Sequence, residues 1–236
     1  ISFVDINMSD KSIIPIIQDD FVAPECHEKI EILYQDDAIL LINKPSGLLS
    51  LSGKNPLNLD SVHHRLVRDY PAVTLAHRLD FGTSGIMLLA LNKEVNVRLN
   101  KQFQERTVVK RYEAILNGHV SQDEGQIDLP ISKDKANFPR LKVCFDTGKP
   151  ALTHYKVLER FEQPNRTRVS FTPITGRTHQ LRIHSQGIKH PILGCDLYGT
   201  QATQAMAPRL LLHAVELTFA HPVSLERMKI TNPCPF

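Results

Sequence analysis

Residues 77–91 read HRLDFGTSGIMLLAL. From Gly85 to Leu91 the stretch is apolar, the pattern of a strand buried on both faces rather than one alternating between core and water. Directly before it stand Arg78 and Asp80, with Gly82 and Gly85 allowing a tight turn. Side chains two apart share a face in extended backbone, so the spacing predicts Arg78 and Asp80 displayed together at an open sheet edge. Taken alone, an aspartate before Gly-Thr-Ser reads first as a cap for turn amides.

On the N-terminal side, KIEILYQDDAILLINKP (29–45) places two apolar strands around Asp36 and Asp37, a hairpin signal. LDSVHHRLVRDY (59–70) spaces Val62, Leu66 and Val67 for a helix, with Asn58, Asp60 or Ser61 as its cap. On the C-terminal side, Asn92 is placed to cap a helix with Val95, Leu99 and Phe103 on one stripe. VVKRYEAIL (108–116) returns to strand character, followed by strands at 141–145, 151–161, 167–172 and 209–219. GRTHQLRIHSQG (176–187) interrupts them as one short helix, with Leu181 and His184 three apart. A few helices inserted irregularly among many strands predict an α+β fold with a mixed, mainly antiparallel sheet. Residues 1–29 read as an acidic arm, extended or partly disordered, and residues 30–236 as one domain.

At 236 residues and 42% hydrophobic content the chain can bury a sizeable core as an ordinary globular protein. Its apolar runs are far shorter than the roughly 20 residues that span a bilayer, and no basic-then-apolar leader is seen. Cys26, Cys144, Cys195 and Cys234 are widely separated, which argues against a zinc site and predicts a reducing, cytoplasmic setting. The net charge of +3 hides an asymmetry. Residues 1–40 hold nine acids against Lys11 and Lys29, leaving −7 there and +10 on the rest. Two clusters are basic: Arg98, Lys101, Arg106, Lys110 and Arg111 against Glu105, then six bases from Arg160 to Lys189 against Glu162. Such clusters fit a phosphate-rich partner or a merely solvated surface.

Several chemistries drop out. TGKP and SGKN lack the spacing of a phosphate-binding loop, and GTSG is one residue short of a nucleophile elbow. His63 and His64 are adjacent, and His179 and His184 are five apart, poor geometry for a shared metal. What remains is one carboxylate among bases. An arginine beside Asp80 would favour the anionic form that a nucleophile needs.

HRLDFGTSG resembles the H-R-L-D-x-x-T-S-G motif of the RluA-type pseudouridine synthases. NKPSGLLS (43–50), KRY (110–112) and PITGRTHQLRIH (173–184) resemble further blocks of that family in the same order, followed by HPILG and MAPRLLLHA. The resemblance runs from about residue 30 to the end. It implies the pseudouridine synthase catalytic fold, isomerisation of a uridine in structured RNA, and no metal or organic cofactor. Asp80 is the implied nucleophile, Arg182 its implied partner, and Tyr112 the implied ring that stacks on uracil and helps remove its carbon 5 proton. Arg78 is implied to enter the RNA as the base flips. Lys110, Arg111, Arg177 and His179 are candidates for phosphate contacts.

TGKPA, HPILG and MAPRLLLHA look closest to a branch acting on 23S rRNA and a tRNA anticodon stem-loop. Many members carry an S4-like RNA-binding module; only the acidic arm precedes the first hairpin here, so none is expected, and a monomer is. Leu181, Ile174 and the 85–91 strand are candidates for an apolar wall that keeps water out. The competing classes are an inactive RNA-binding assembly factor of the same fold and a glycoside hydrolase, which would need a second positioned acid.

Overall fold

The computed structural model describes residues 21–236. Most of the proposed acidic arm, residues 1–20, lies outside the described residues, and residues 21–29 carry neither helix nor strand. The hairpin forms as expected from β1 (Glu31–Gln35) and β2 (Ile39–Lys44). Asp36 makes the turn, its carboxylate accepting the backbone N–H groups of Ala38 and Ile39, each at 2.8 Å. Helix α1 (Val62–Leu66) is capped by Ser61, whose hydroxyl accepts the N–H of His64. After the short β3 (Thr74–Leu75) comes β4 (Ser84–Ala90), and then α2 (Lys93–Gln104), capped by Asn92 through the N–H of Val95 at 2.9 Å.

The remainder is β5 (Val109–Asn117), β6 (Glu124–Asp128), β7 (Ile131–Lys133), β8 (Leu141–Val143), β9 (Leu152–Glu162) and β10 (Asn165–Pro173). Helices α3 (Gln180–Gly187) and α4 (Gln201–Ala205) precede β11 (Leu212–Ala220) and β12 (Arg227–Thr231). Strands β3, β6, β7 and β12 and helix α4 have no counterpart in the sequence reading. Among the described residues, ten strands form one sheet, with the order β1-β2-β4-β11-β5-β10-β9-β6 and with β12 on β11 and β3 on β4. Only β4 and β11 run parallel; the sheet is mixed and mainly antiparallel, as expected.

Every residue of β4 is buried because the sheet is covered on both sides there. Ile86, Leu88 and Ala90 pack with Val95 and Leu99 of α2, while Met87 and Leu89 pack with Val62 and Leu66 of α1. Burying such aliphatic side chains stabilises the fold by about 1.5–3 kcal/mol each, which is why the unbroken apolar run lies at the centre. The 77–83 turn therefore stands at the end of a central strand, flanked by β2 and β11, and not at a sheet edge. A third cluster, around Phe171, Val169, Ala114, Ile183 and Tyr198, packs α3 onto β5 and β10.

The parallel contact depends on one glycine. Gly85 has φ +110°, and a Cβ there would meet Ala214 of β11, its carbonyl oxygen at 2.4 Å and its nitrogen at 2.6 Å. Backbone alone fits that gap. Gly85→Ala is expected to cost about 3 kcal/mol or more, read as a lowered urea midpoint. An unchanged midpoint would mean that β4 and β11 separate at little cost.

Candidate active site

The turn that carries Asp80 is held through its backbone by side chains and one amide of the NKPSGLLS segment. The Lys44 side chain is fully buried, and its Nζ donates to the carbonyls of Pro45 (2.8 Å), Leu48 (2.8 Å) and Phe81 (3.2 Å). Ser46 Oγ donates to the Gly82 carbonyl at 2.7 Å, and the Gly47 N–H donates to the Phe81 carbonyl at 3.0 Å. Ser50 Oγ donates to the Leu79 carbonyl at 2.7 Å and accepts the Leu79 N–H at 3.2 Å. Within the turn, the Thr83 N–H reaches the Asp80 carbonyl at 3.1 Å. Burial pulls the Lys44 ammonium down to about 7, against the upward pull of the nearby Asp80 carboxylate. His77 accepts the Leu88 N–H at 3.0 Å, and burial with the Lys110 charge pushes its pKa down to about 3. Its ring is a neutral strut.

With the Leu79 and Thr83 amides met by Ser50 Oγ and the Asp80 carbonyl, the Asp80 carboxylate caps neither. Among the described residues it makes no hydrogen bond. Its oxygens face Arg182 Nη1 at 3.7 Å and His179 Nε2 at 4.0 Å. Residues 76–80 are not a strand, yet Arg78 is exposed, Leu79 buried and Asp80 half-buried, and Arg78 and Asp80 open onto the same cleft without pairing with each other. Asp80 instead meets an arginine from α3.

Arg182 is only 4% exposed and serves two carboxylates, Asp80 and Asp196. Its Nε donates to Cys195 Sγ at 3.4 Å, and its guanidinium lies 5.3 Å from the Tyr198 ring centroid. Burial pulls the guanidinium pKa down, but the Cys195 thiol and the two carboxylates more than restore it, leaving it raised. Cys195, Asp196 and Tyr198 are not among the sequence-derived site residues, and HPILGCDLYGT (190–200), with no lysine or arginine, carried no charge pattern that marked them.

These groups open onto one cleft of about 840 Å³, within the ordinary range for a ligand site. Asp80, Tyr112, Arg182 and His179 line it, as do Arg78, Lys110 and Arg177. Arg111 does not, because the alternation of β5 turns Lys110 and Tyr112 inward and Arg111 outward. There Arg111 pairs with Glu113 at 3.3 Å and Glu216 at 3.2 Å. Burial, and secondarily the Asp80 charge, push the Tyr112 phenol well up, so it stays protonated. Lys110 is half-buried, with its pKa lowered by burial and by the charge of Arg106. It has no carboxylate or hydrogen-bond acceptor among the described residues. Arg106, absent from the sequence-derived site, also lines the cleft, on left-handed backbone with φ 59°.

Leu181 and Ile174 form part of the wall, but β4 does not reach it; Leu79, Phe81 and Leu212 stand there instead. Arg78, Arg106, Lys110, Arg177 and Arg182 surround a single lining acid, Asp80. The cleft attracts polyanions and presents one carboxylate to them. Asp196 does not line it, so the second acid of a hydrolase is not supplied there.

Residues 38–187 match the family described as RNA pseudouridylate synthase. The chain is 46% identical over 213 residues to the dual-specificity RNA pseudouridine synthase RluA of Pasteurella multocida, covering 90% of this chain and 97% of that one. It is 49% identical over 205 residues to the protein of the same description from Escherichia coli strain K12, covering 87% and 93%. Among solved structures, human RNA pseudouridylate synthase domain containing 1 superposes with a TM-score of 0.76 at 30% identity, covering 90% of this chain and 86% of that one.

Lys44→Met would cut the link between the 45–48 loop and the Asp80 turn, leaving the Pro45 and Leu48 carbonyls without this donor and the Phe81 carbonyl with the Gly47 N–H alone. The expected cost is about 2–4 kcal/mol, measured by urea unfolding, together with loss of activity. A full-strength midpoint would mean that water replaces the ammonium and the tie is dispensable.

Proposed function

Because the chain belongs to the family of RNA pseudouridylate synthases, we propose that Asp80 is the nucleophile with which it isomerises uridine in RNA to pseudouridine. What supports this role above all is an ion-paired carboxylate left free of hydrogen bonds in a basic cleft, beside a protonated tyrosine. Asp80 attacks the sugar carbon, and the electron pair of the broken glycosidic bond leaves with uracil as a delocalised anion. The base turns in the closed cleft. Its carbon 5 then attacks the same sugar carbon, the bond to Asp80 breaks, and the carboxylate returns. One proton is lost from carbon 5 and one is gained at nitrogen 1, so the product is an isomer. Arg182 orients Asp80. The Tyr112 ring stacks on uracil, and its phenol, held protonated, relays a proton: the hydroxyl gives its hydrogen to nitrogen 1 of the turned base as its oxygen takes the one from carbon 5.

Extrahelical uridine costs a few kcal/mol of stacking. Arg78, exposed at the cleft and free of Asp80, takes the space that the base vacates. Lys110, Arg106 and Arg177 bind flanking phosphates, since a half-buried ammonium without an acceptor gains most from an anion. Arg111, committed to Glu113 and Glu216, is the weakest of the sequence-derived phosphate candidates. The substrates are structured RNAs of two kinds, 23S rRNA and a tRNA anticodon stem-loop, in line with the dual specificity named for the relatives. Residues 30–236 act as the catalytic unit, in a cytoplasmic monomer.

Pseudouridine mapping tests the nucleophile. With rRNA and tRNA from a strain lacking the gene, the wild type is expected to create new pseudouridine and Asp80→Asn none, while the variant still binds RNA. Free uracil would indicate a hydrolase; binding without modification by either protein would indicate an assembly factor. Loss of RNA binding by Asp80→Asn would make Asp80 structural. Lys110→Ala is expected to weaken RNA binding and to flatten the slope of log affinity against log salt by roughly 0.7–0.9. An unchanged slope would take Lys110 off the phosphate path.

A further inference from the structure

His179 stands at a point where three constraints meet. Its backbone is left-handed, φ 56°, at the N-cap of α3, yet its side chain caps nothing. An N-cap side chain ordinarily bonds the first free N–H groups of its helix, and non-glycine residues in this conformation concentrate at functional sites. The imidazole is turned instead between Tyr198 and Asp80.

Tyr198 fixes which nitrogen carries the hydrogen. Its side chain is 1% exposed, and its hydroxyl oxygen accepts the Leu141 N–H at 2.9 Å. The same hydroxyl lies 2.8 Å from His179 Nδ1. If Nδ1 were the donor, the phenolic hydrogen would be buried without an acceptor among the described residues, which is costly. The hydroxyl therefore donates to Nδ1. Burial, foremost, and the Arg182 charge lower the His179 pKa against the Asp80 and Asp196 carboxylates, so the ring is neutral and its one hydrogen is on Nε2. That hydrogen faces Asp80 Oδ1 across 4.0 Å, while Arg182 Nη1 faces Oδ2 across 3.7 Å.

We propose that His179 is a further catalytic residue: held by Tyr198 in one tautomer, it donates its Nε2 hydrogen to Oδ1 of Asp80 as the carboxylate leaves the covalent adduct, with no proton transferred. In the free enzyme both donors stand beyond hydrogen-bond length, which leaves the attacking carboxylate unencumbered. As negative charge returns to Asp80 both can close, since catalytic hydrogen bonds commonly tighten only in the reacting complex. This role rests on the reading of Asp80 as nucleophile, and it differs from a phosphate contact because it needs no charge on the ring.

The test combines nitrogen NMR of histidine-labelled full-length protein with kinetics on the gene-deletion RNA. In the wild type, His179 is expected to show a bare Nδ1 and a protonated Nε2, and in Tyr198→Phe a mixture of the two forms. Phenylalanine keeps the ring beneath Arg182 and removes only the hydroxyl. His179→Asn, which tolerates left-handed backbone but is too short to reach Asp80, should lower kcat on the order of 100-fold with KM nearly unchanged. His179→Gln, whose amide nitrogen can take the place of Nε2, should recover most of it. The salt slope of RNA binding should be that of the wild type in all three.

A protonated Nδ1 in the wild type overturns the proposal. So does a folded His179→Asn with wild-type kcat, or one with raised KM and a flattened salt slope, which would make His179 a phosphate contact. Asp80→Asn run beside them keeps the two readings apart. If it retains activity, the nucleophile assignment fails; if it is inactive while the His179 variants match the wild type, only the present proposal does.

Discussion

The buried ammonium of Lys44 is the constraint on which the site depends. A charge taken wholly out of water is stable only when its donors are met, and here three carbonyls from two separate segments meet them. Pro45 and Leu48 belong to the loop after β2, Phe81 to the turn before β4, so one side chain ties two motifs into a single body. Ser46, Gly47 and Ser50 complete the tie. With the Leu79, Phe81 and Gly82 carbonyls bonded from behind, the turn can hold Asp80 forward with neither oxygen in a hydrogen bond among the described residues. A nucleophile requires rigid placement without strong bonds to its own lone pairs, and this division of labour provides both.

The cleft follows the same logic in its charges. Five bases around one acid draw in a phosphate chain, but a carboxylate inside such a field is easily paired too tightly to react. Asp196 moderates this by sharing Arg182, so that the guanidinium is held by a firm ion pair on the outer side and a looser one towards Asp80. The neutrality of His179 and His77 serves the same end, since neither adds a positive charge beside Asp80.

What could be read from the sequence was what nearby residues decide. The Asp36 turn, the Ser61 and Asn92 caps and the buried β4 each rest on bonds or burial patterns set within a few positions, and each stands as expected. Strands β6 and β12 were invisible because EGQID and RMKIT are short, polar-rich segments made strands by partners already in place, β9 and β11. The pairing of Asp80 with Arg182 could not come from spacing, because β4 and α3 lie far apart in the chain; only the resemblance supplied it. Spacing, by the alternation rule, put Arg78 and Asp80 on one side, and both line the cleft, although residues 76–80 are not a strand. KRY shows the rule working where it belongs: on β5 it separates Lys110 and Tyr112 from Arg111.

The place of β11 in the sheet has a bearing on how the molecule comes into being. This strand begins at Leu212 yet lies between β4 and β5, which do not pair with each other. Until β11 is available, β2-β4 and β5-β10 are two half-sheets with bare inner edges, and the pairings that unite them join residues 98 to 129 positions apart. Such non-local closure is slow, and unpaired edges invite association with other chains in the meantime. Asp80 comes from one half and Tyr112 from the other. A nascent chain released from synthesis early would hold every motif of the cleft and still have no cleft.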